Sequence, residues 1–371
     1  MELSNEDNLR LNVLIHQDLQ AIRIDESRML LYALTKKGEA KVELKPNCRD
    51  DKYLRLVREM LSTHALGSPG GYPVYLRRWT RMGEMREESL QGLLLLGESE
   101  AVVAVANSPQ LNEEVARRAW WAMPDADIAR RMLRQPKISS SDIGKELAAY
   151  LLDYLPFETE ANNIVESVRL VLQPGLVDEN TVKSLWSRAG RKSAYYIGFL
   201  LTIPNELPEQ APENPMYKTA REALQSSEDS LYASLILKLL SPSGQVFLKT
   251  IQNAMDRLSD QHVTVMFLNS VQRYFQDLVS GSRPVYREFQ EIEKAVEQLI
   301  NDSTSGELQN ILALGEPYAD WIKSLHVLSL VGESLADPIF SQTDAVGSVM
   351  RKRLQPVTDP INKHVSRFLG R

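Results

Sequence analysis

Arginine beside tryptophan and tyrosine, in a stretch opened by glycines, is the arrangement in this chain with the clearest binding chemistry. Residues 67–86 begin Gly67-Ser-Pro69-Gly70-Gly71-Tyr72-Pro and run through Tyr75, Arg77, Arg78, Trp79 and Arg81 to Arg86, four arginines against one glutamate. Glycines let a backbone come close to a ligand or turn with positive φ, while guanidinium groups near aromatic rings suit phosphate, carboxylate or stacked bases. The candidate binding residues are therefore Gly67, Pro69, Gly70, Gly71, Tyr72, Tyr75, Arg77, Arg78, Trp79 and Arg81. A competing reading makes Tyr75, Leu76 and Trp79 core anchors and the arginines ordinary salt-bridge partners.

Two further basic clusters stand apart from this one. Arg117, Arg118, Arg130, Arg131, Arg134 and Lys137 surround Trp120-Trp121, and residues 351–371 carry six basic groups against Asp359. Adjacent tryptophans diverge around a helix axis, so they lock helix contacts more readily than they stack bases. Asp127 is placed to pair with Arg130 or Arg131, and Pro356 and Pro360 are expected to interrupt the basic tail.

Bond-making chemistry finds little support. The histidines His16, His64, His262, His326 and His364 never share a helical turn, so no metal site is expected, and His262 falls in an apolar stripe. Gly-x-Ser-x-Gly, Gly-x-Gly-x-x-Gly and P-loop patterns are missing from the sequence, and no cofactor is expected. Neighbouring carboxylates such as Asp50-Asp51 point about 100° apart on a helix and read as solvated faces. The sole cysteine, Cys48, would become a nucleophile only if Arg49 outweighed Asp50 and Asp51.

Around these residues the periodicity assigns elements. Ala21–Ile24, Met29–Leu34 and the alternating Ala40–Leu44, with Lys36-Lys37-Gly38 as a turn, read as a β-hairpin preceded by a third strand. After Pro46 the period becomes 3.6, with Tyr53, Leu54, Val57, Met60 and Leu61 on one helix side. From Glu87 to Ile203 short helical segments punctuated by Gly and Pro suggest an α-solenoid-like array. Four prolines and three glutamates in 204–216 read as an extended, solvated linker. Beyond it, Phe247, Ile251, Met255, Leu258, His262, Met266, Val271, Phe275 and Leu278 form one long apolar series, as do Val285, Phe289, Ile292, Val296 and Leu299. Ser226–Asp229 and Thr304–Glu307 match the capping box. The expected fold is mainly α: a small α+β region over 1–86, a helical array over 87–203, the linker, and a C-terminal bundle over 217–371.

The 371 residues carry 43 Lys+Arg and 49 Asp+Glu, giving a net charge of −6 that argues against a dedicated nucleic-acid binder. A single cysteine excludes a disulfide scaffold and favours a reducing compartment, so the cytoplasm is expected. The start is acidic rather than basic, and the longest uncharged run near a plausible span, 193–205, falls short of the ~18 residues a membrane helix needs.

Several strings carry a family resemblance: Asn47-Cys-Arg-Asp-Asp51, the segment to Gly83, Ala119-Trp-Trp-Ala-Met-Pro124, Tyr154-Leu-Pro-Phe-Glu158 and Val165 to Gly175. Through most of residues 1–203, and more loosely beyond, the chain resembles the DsrS family of sulfur-metabolism proteins. That resemblance implies a cytosolic accessory protein of sulfur-oxidising bacteria, encoded with the reverse-acting dissimilatory sulfite reductase pathway, and transfers no catalytic residues. The expected function is a non-catalytic accessory or regulatory role through protein-interaction surfaces, with 67–86 as the contact and pathway proteins as partners. A nucleic-acid-binding regulator using 77–86, 117–137 and 351–371 is the alternative, and a sulfur-carrier enzyme using Cys48 the weaker one; no small-molecule ligand is assigned.

Overall fold

Helix α1 (Asn5–Ile15) leads into three strands, β1 (Leu19–Asp25), β2 (Leu30–Thr35) and β3 (Gly38–Glu43), followed by α2 (Asp50–Leu66). In the computed structural model the described residues are 3–73, 87–190, 192–227, 230–279, 281–303 and 305–370. The strands form an antiparallel sheet in the order β1-β2-β3, the expected hairpin with its preceding strand. The β2–β3 turn closes on Thr35, whose hydroxyl donates to the Gly38 carbonyl (2.8 Å) and accepts from the Lys37 amide (3.1 Å). Gly38 takes φ +122°, a value that disfavours side chains.

Alternation then decides the faces. Ile22, Leu31 and Ala33 point inward and join Leu11, Leu14 and Ile15 of α1 and Tyr53, Leu54, Val57 and Leu61 of α2 in one buried cluster. A polar clamp fixes α1 to α2: fully buried Asp7 accepts from the Tyr53 hydroxyl (2.6 Å) and the Lys45 amide (3.3 Å). Burial and the Asp7 carboxylate together push the Tyr53 phenol well above its ordinary range.

The chain continues through α3 (Glu87–Leu93), α4 (Ser99–Ala106), α5 (Glu113–Ala122), α6 (Ala126–Leu133), α7 (Pro136–Ser139) and α8 (Asp142–Tyr154). Asn112 and Asp125 cap α5 and α6 by accepting the amides of Val115 and Ile128 (2.9 and 2.8 Å). These elements belong to a first compact unit, Met1–Pro156 with Pro174–Leu176.

The second unit, Phe157–Gln173 with Val177–Arg371, is helical throughout its regular elements. It contains α9 (Ala161–Val171), α10 (Glu179–Ala189), α11 (Ser193–Thr202), α12 (Tyr217–Ala223), α13 (Leu231–Leu240), α14 (Pro242–Met255) and α15 (Gln261–Tyr274). Then come α16 (Phe289–Asp302), α17 (Gly306–Leu312), α18 (Tyr318–Leu330), α19 (Asp337–Phe340) and α20 (Ser348–Ser366). The molecule is thus mainly helical with a small N-terminal sheet, as its sequence pattern indicates. No single helix among the described residues is long and apolar enough to cross a membrane; α13 and α14 pass that test only as a pair bent by 76°.

Four local features of this unit differ from the sequence pattern. The proline-rich stretch 204–216 lies within the unit, and Asn214 is buried: its amide donates to Leu240 (2.9 Å) and its side chain to the Phe368 carbonyl (2.9 Å). The segment is anchored at Leu207 and Asn214, while its prolines and glutamates stay partly or fully exposed. The long apolar series from Phe247 splits into α14 and α15, because Asp260 caps a new helix by accepting the Val263 amide (3.0 Å). This turns His262 outward and leaves Met266 half-buried, with Val263 and Phe267 buried instead, while Val271 and Phe275 are buried as expected.

Helix α20 runs unbroken through exposed Pro356 and half-buried Pro360, while Leu354, Val357 and Ile361 are buried. Helix α13 starts from Ser230, whose hydroxyl accepts the Ala233 amide, one residue past Ser226–Asp229; Asp229 and Thr304 lie outside the described residues. A capping box is formed instead by Glu288 and Glu291 at the start of α16.

Candidate functional site

Gly67 ends α2 in the left-handed region, φ +68°, its amide donating to the Thr63 carbonyl (3.0 Å). The loop after it closes on its own side chains. The Ser62 hydroxyl donates to the Ser68 carbonyl (2.6 Å) and accepts from the Gly71 amide (2.8 Å), and the Tyr72 amide donates to Glu98 Oε2 (3.0 Å). A Cβ on Gly71 would lie 2.4 Å from Glu98 Oε1. The close approach that Gly71 permits is therefore made by the protein's own Glu98 carboxylate, while Pro69 is exposed and Gly70 half-buried. Tyr75, Arg77, Arg78, Trp79 and Arg81 lie outside the described residues.

The paired tryptophans have separate tasks. Trp120 donates from Nε1 to Glu146 (2.9 Å) and meets the Tyr150 ring edge-on at 4.9 Å, tying α5 to α8. Trp121 faces the sheet, donating to Glu39 (3.0 Å). The Arg23 guanidinium lies 4.9 Å from the Trp121 ring and 4.6 Å from the Tyr32 ring, with the Lys41 ammonium on Tyr32 at 5.7 Å. Arg23, Tyr32 and Lys41 are cross-strand neighbours, so this ladder of cations and rings covers the outer sheet face.

The surrounding basic cluster is largely neutralised where it stands. Arg117 pairs with Glu113 and Arg131 with Asp127 (2.7 Å each), Arg118 pairs with Glu114, and Arg130 is buried. In the third cluster Arg367 is held by Asp320 (3.2 Å). Cys48 is half-buried against the N-terminal core, and Arg49 reaches Asp51 (3.1 Å). Among the described residues no group of three or more His, Cys, Asp or Glu is placed to hold a metal ion.

Sequence spacing gave no hint of a Ser/His/carboxylate set in the second unit. His364 of α20 places Nδ1 3.0 Å from the Ser324 hydroxyl of α18, and its Nε2 lies 4.0 Å from Glu293 of α16. Ser324 is fully buried, donates to the Asp320 carbonyl (2.8 Å) and accepts from Arg367 (3.2 Å). Its proton is committed to a backbone carbonyl, so the hydrogen-bonded Ser324–His364 pair ties α18 to α20 rather than forming a nucleophile, and Glu293 of α16 makes no hydrogen bond to it. His364 is 1% exposed and His326 3%. Burial holds both imidazoles down to about 4, and in His364 the Arg367, Lys363 and Lys323 charges add to the effect.

Among the described residues, the outer edge of β3 has no strand paired to it. The Leu44 amide donates to Met29 (2.9 Å), and counting back along the β2–β3 register places Val42, Ala40 and Gly38 in the ladder. The backbone groups of Glu39, Lys41 and Glu43 therefore point away from β2. Beside this edge, α1 exposes Leu9 (66%) and Val13 (59%), one helical turn apart. Together they line an open groove of about 560 Å³ that also includes Arg10, Gln17, Ala40, Lys41 and Val42. An edge whose amides and carbonyls have no strand partner among the described residues, next to apolar side chains, can take an added strand. No family model, no curated protein and no solved structure matches the chain.

Proposed function

We propose that this chain is a non-catalytic accessory or regulatory protein of bacterial sulfur oxidation that works in the cytoplasm by holding protein partners. The pathway and the compartment come from the DsrS-like strings. The mode of action rests on one observation: the β3 edge and the exposed Leu9–Val13 stripe of α1 line one groove. An extended partner segment would donate to and accept from Glu39, Lys41 and Glu43 while setting apolar side chains against α1. Local ion pairing of Arg117, Arg118 and Arg131 favours a protein partner over nucleic acid.

Capture from a sulfur-oxidising bacterial lysate tests this reading. Leu9→Asp/Val13→Asp alters only exposed side chains, and Lys41→Pro removes an amide that points away from the β2 ladder. Each variant is expected to lose at least tenfold of the captured protein relative to wild type. Undiminished capture by both, with loss in Arg77→Ala/Arg78→Ala/Trp79→Ala, would move the contact to residues 67–86.

A further inference from the structure

A second cavity, in the helical unit, combines charges that the interaction reading does not use. It is an open cleft of about 410 Å³ between Asn269 and Gln272 of α15, residues 283–286, and the turn from Leu330 to Ser334. That volume lies in the range of small-ligand pockets. Arg283 in its wall is half-buried and makes no hydrogen bond or ion pair among the described residues. Burial lowers the pKa of its guanidinium, because water is partly removed and no anion replaces it.

The opposite charge is present but kept separate. Glu333 is held by Asn269, which donates to Oε2 at 3.1 Å. Arg283 and Glu333 thus line one pocket without pairing. The Gln272 amide packs over Gly332, where a Cβ would sit 2.8 Å from Nε2. Half-buried Leu330 and the exposed Val285 supply apolar surface at its rim.

We infer that this pocket binds a free α-amino acid, its carboxylate on Arg283 and its ammonium group on Glu333. The pocket's own charges sum to zero, which disfavours a phosphate dianion beside Glu333 and an isolated cation beside Arg283. Carboxylate on guanidinium is the stronger contact, because two parallel N–H···O bonds fit its planar fork. The Gln272 amide and Ser334 hydroxyl add neutral polar groups beside the zwitterion.

Calorimetric titration of the full chain with the twenty L-amino acids tests the inference. For each binder, the amide lacking the carboxylate and the acid lacking the amine serve as comparison probes. At least one amino acid is expected to bind, its amide at least tenfold more weakly. Arg283→Gln should weaken the amino acid at least tenfold, whereas Glu333→Gln should weaken it while improving the deaminated acid. Far-ultraviolet circular dichroism confirms folding, and Arg283→Lys, which keeps the charge, should retain part of the affinity. Binding by no amino acid, binding of inorganic phosphate instead, or affinity unchanged in Arg283→Gln would overturn the assignment. None of these outcomes bears on the β3 edge, which lies in the other unit.

Discussion

Acidification from pH 6.5 to pH 5 will destabilise the helical unit steeply, and His326 and His364 will account for the largest identifiable share. Both imidazoles titrate near 4 in the folded chain, against about 6.5 when exposed. In that interval the unfolded chain binds the protons that the folded one refuses. The stability these groups contribute is whole above pH 6.5 and is lost as the pH falls toward 4. Each histidine contributes on the order of 1 kcal/mol per pH unit to the slope across this interval. The structure explains the refusal: the unpaired nitrogens, Nε2 in both rings, are buried, and the nearest carboxylate, Glu293, stops 4.0 Å from that of His364. Urea titrations at pH 6.5, 6.0, 5.5 and 5.0 check this. His326→Leu/His364→Gln should flatten the dependence by roughly 2 kcal/mol per pH unit, the glutamine amide keeping a bond to Ser324. Parallel curves for variant and wild type would show that the histidines take up protons without unfolding.

Gly244→Ala will cost the same unit about 3 kcal/mol, toward the upper end of what overpacking costs. Helices α13 and α14 meet at 76°, hinged on Ser241, which caps α14, and Pro242 in its first turn. At this bend the added Cβ would lie 2.1 Å from the Lys238 carbonyl oxygen and 2.5 Å from Leu239 Cα. Both are backbone atoms, so no side chain can swing aside, and the two helices must part. Thermal melts should place the variant on the order of 8 °C below wild type. Gly306→Ala is the matched control: it begins α17 with nothing within 4 Å of the new methyl, so its midpoint should stay within a degree or two or rise. Equal midpoints for the two variants would show that the α13–α14 crossing is looser than drawn.

Local rules reached as far as local causes did. The period-2 alternation of Ala40–Leu44 and the 3.6 spacing from Tyr53 to Leu61 report one-sided burial directly, and β3 and α2 follow. Gly67 ends α2 for a reason contained in its own backbone. Gly71 does not: its left-handed turn leaves room for Glu98, many residues later, and no spacing announces that pair. Trp121 is similar, its partner Glu39 lying 82 positions away. His262 was misplaced because an apolar series with spacings of three to five runs across the Asp260 cap, which resets the helix phase. His364 and Ser324, 40 residues apart, meet only after α18 and α20 pack. The open edge of β3 escaped the sequence too, since a strand's pattern records which face is buried and says nothing about what pairs with its edge.

Amide hydrogen exchange along β3, with and without a captured partner, puts the proposed role to its most direct test. Glu39, Lys41 and Glu43 carry the outward amides, so partner binding should slow their exchange while Ala40 and Val42, already in the β2 ladder, change little. That alternating protection, accompanied by burial of Leu9 and Val13, is the predicted result. Unchanged exchange at all three outward amides under saturating partner would contradict strand addition at this edge.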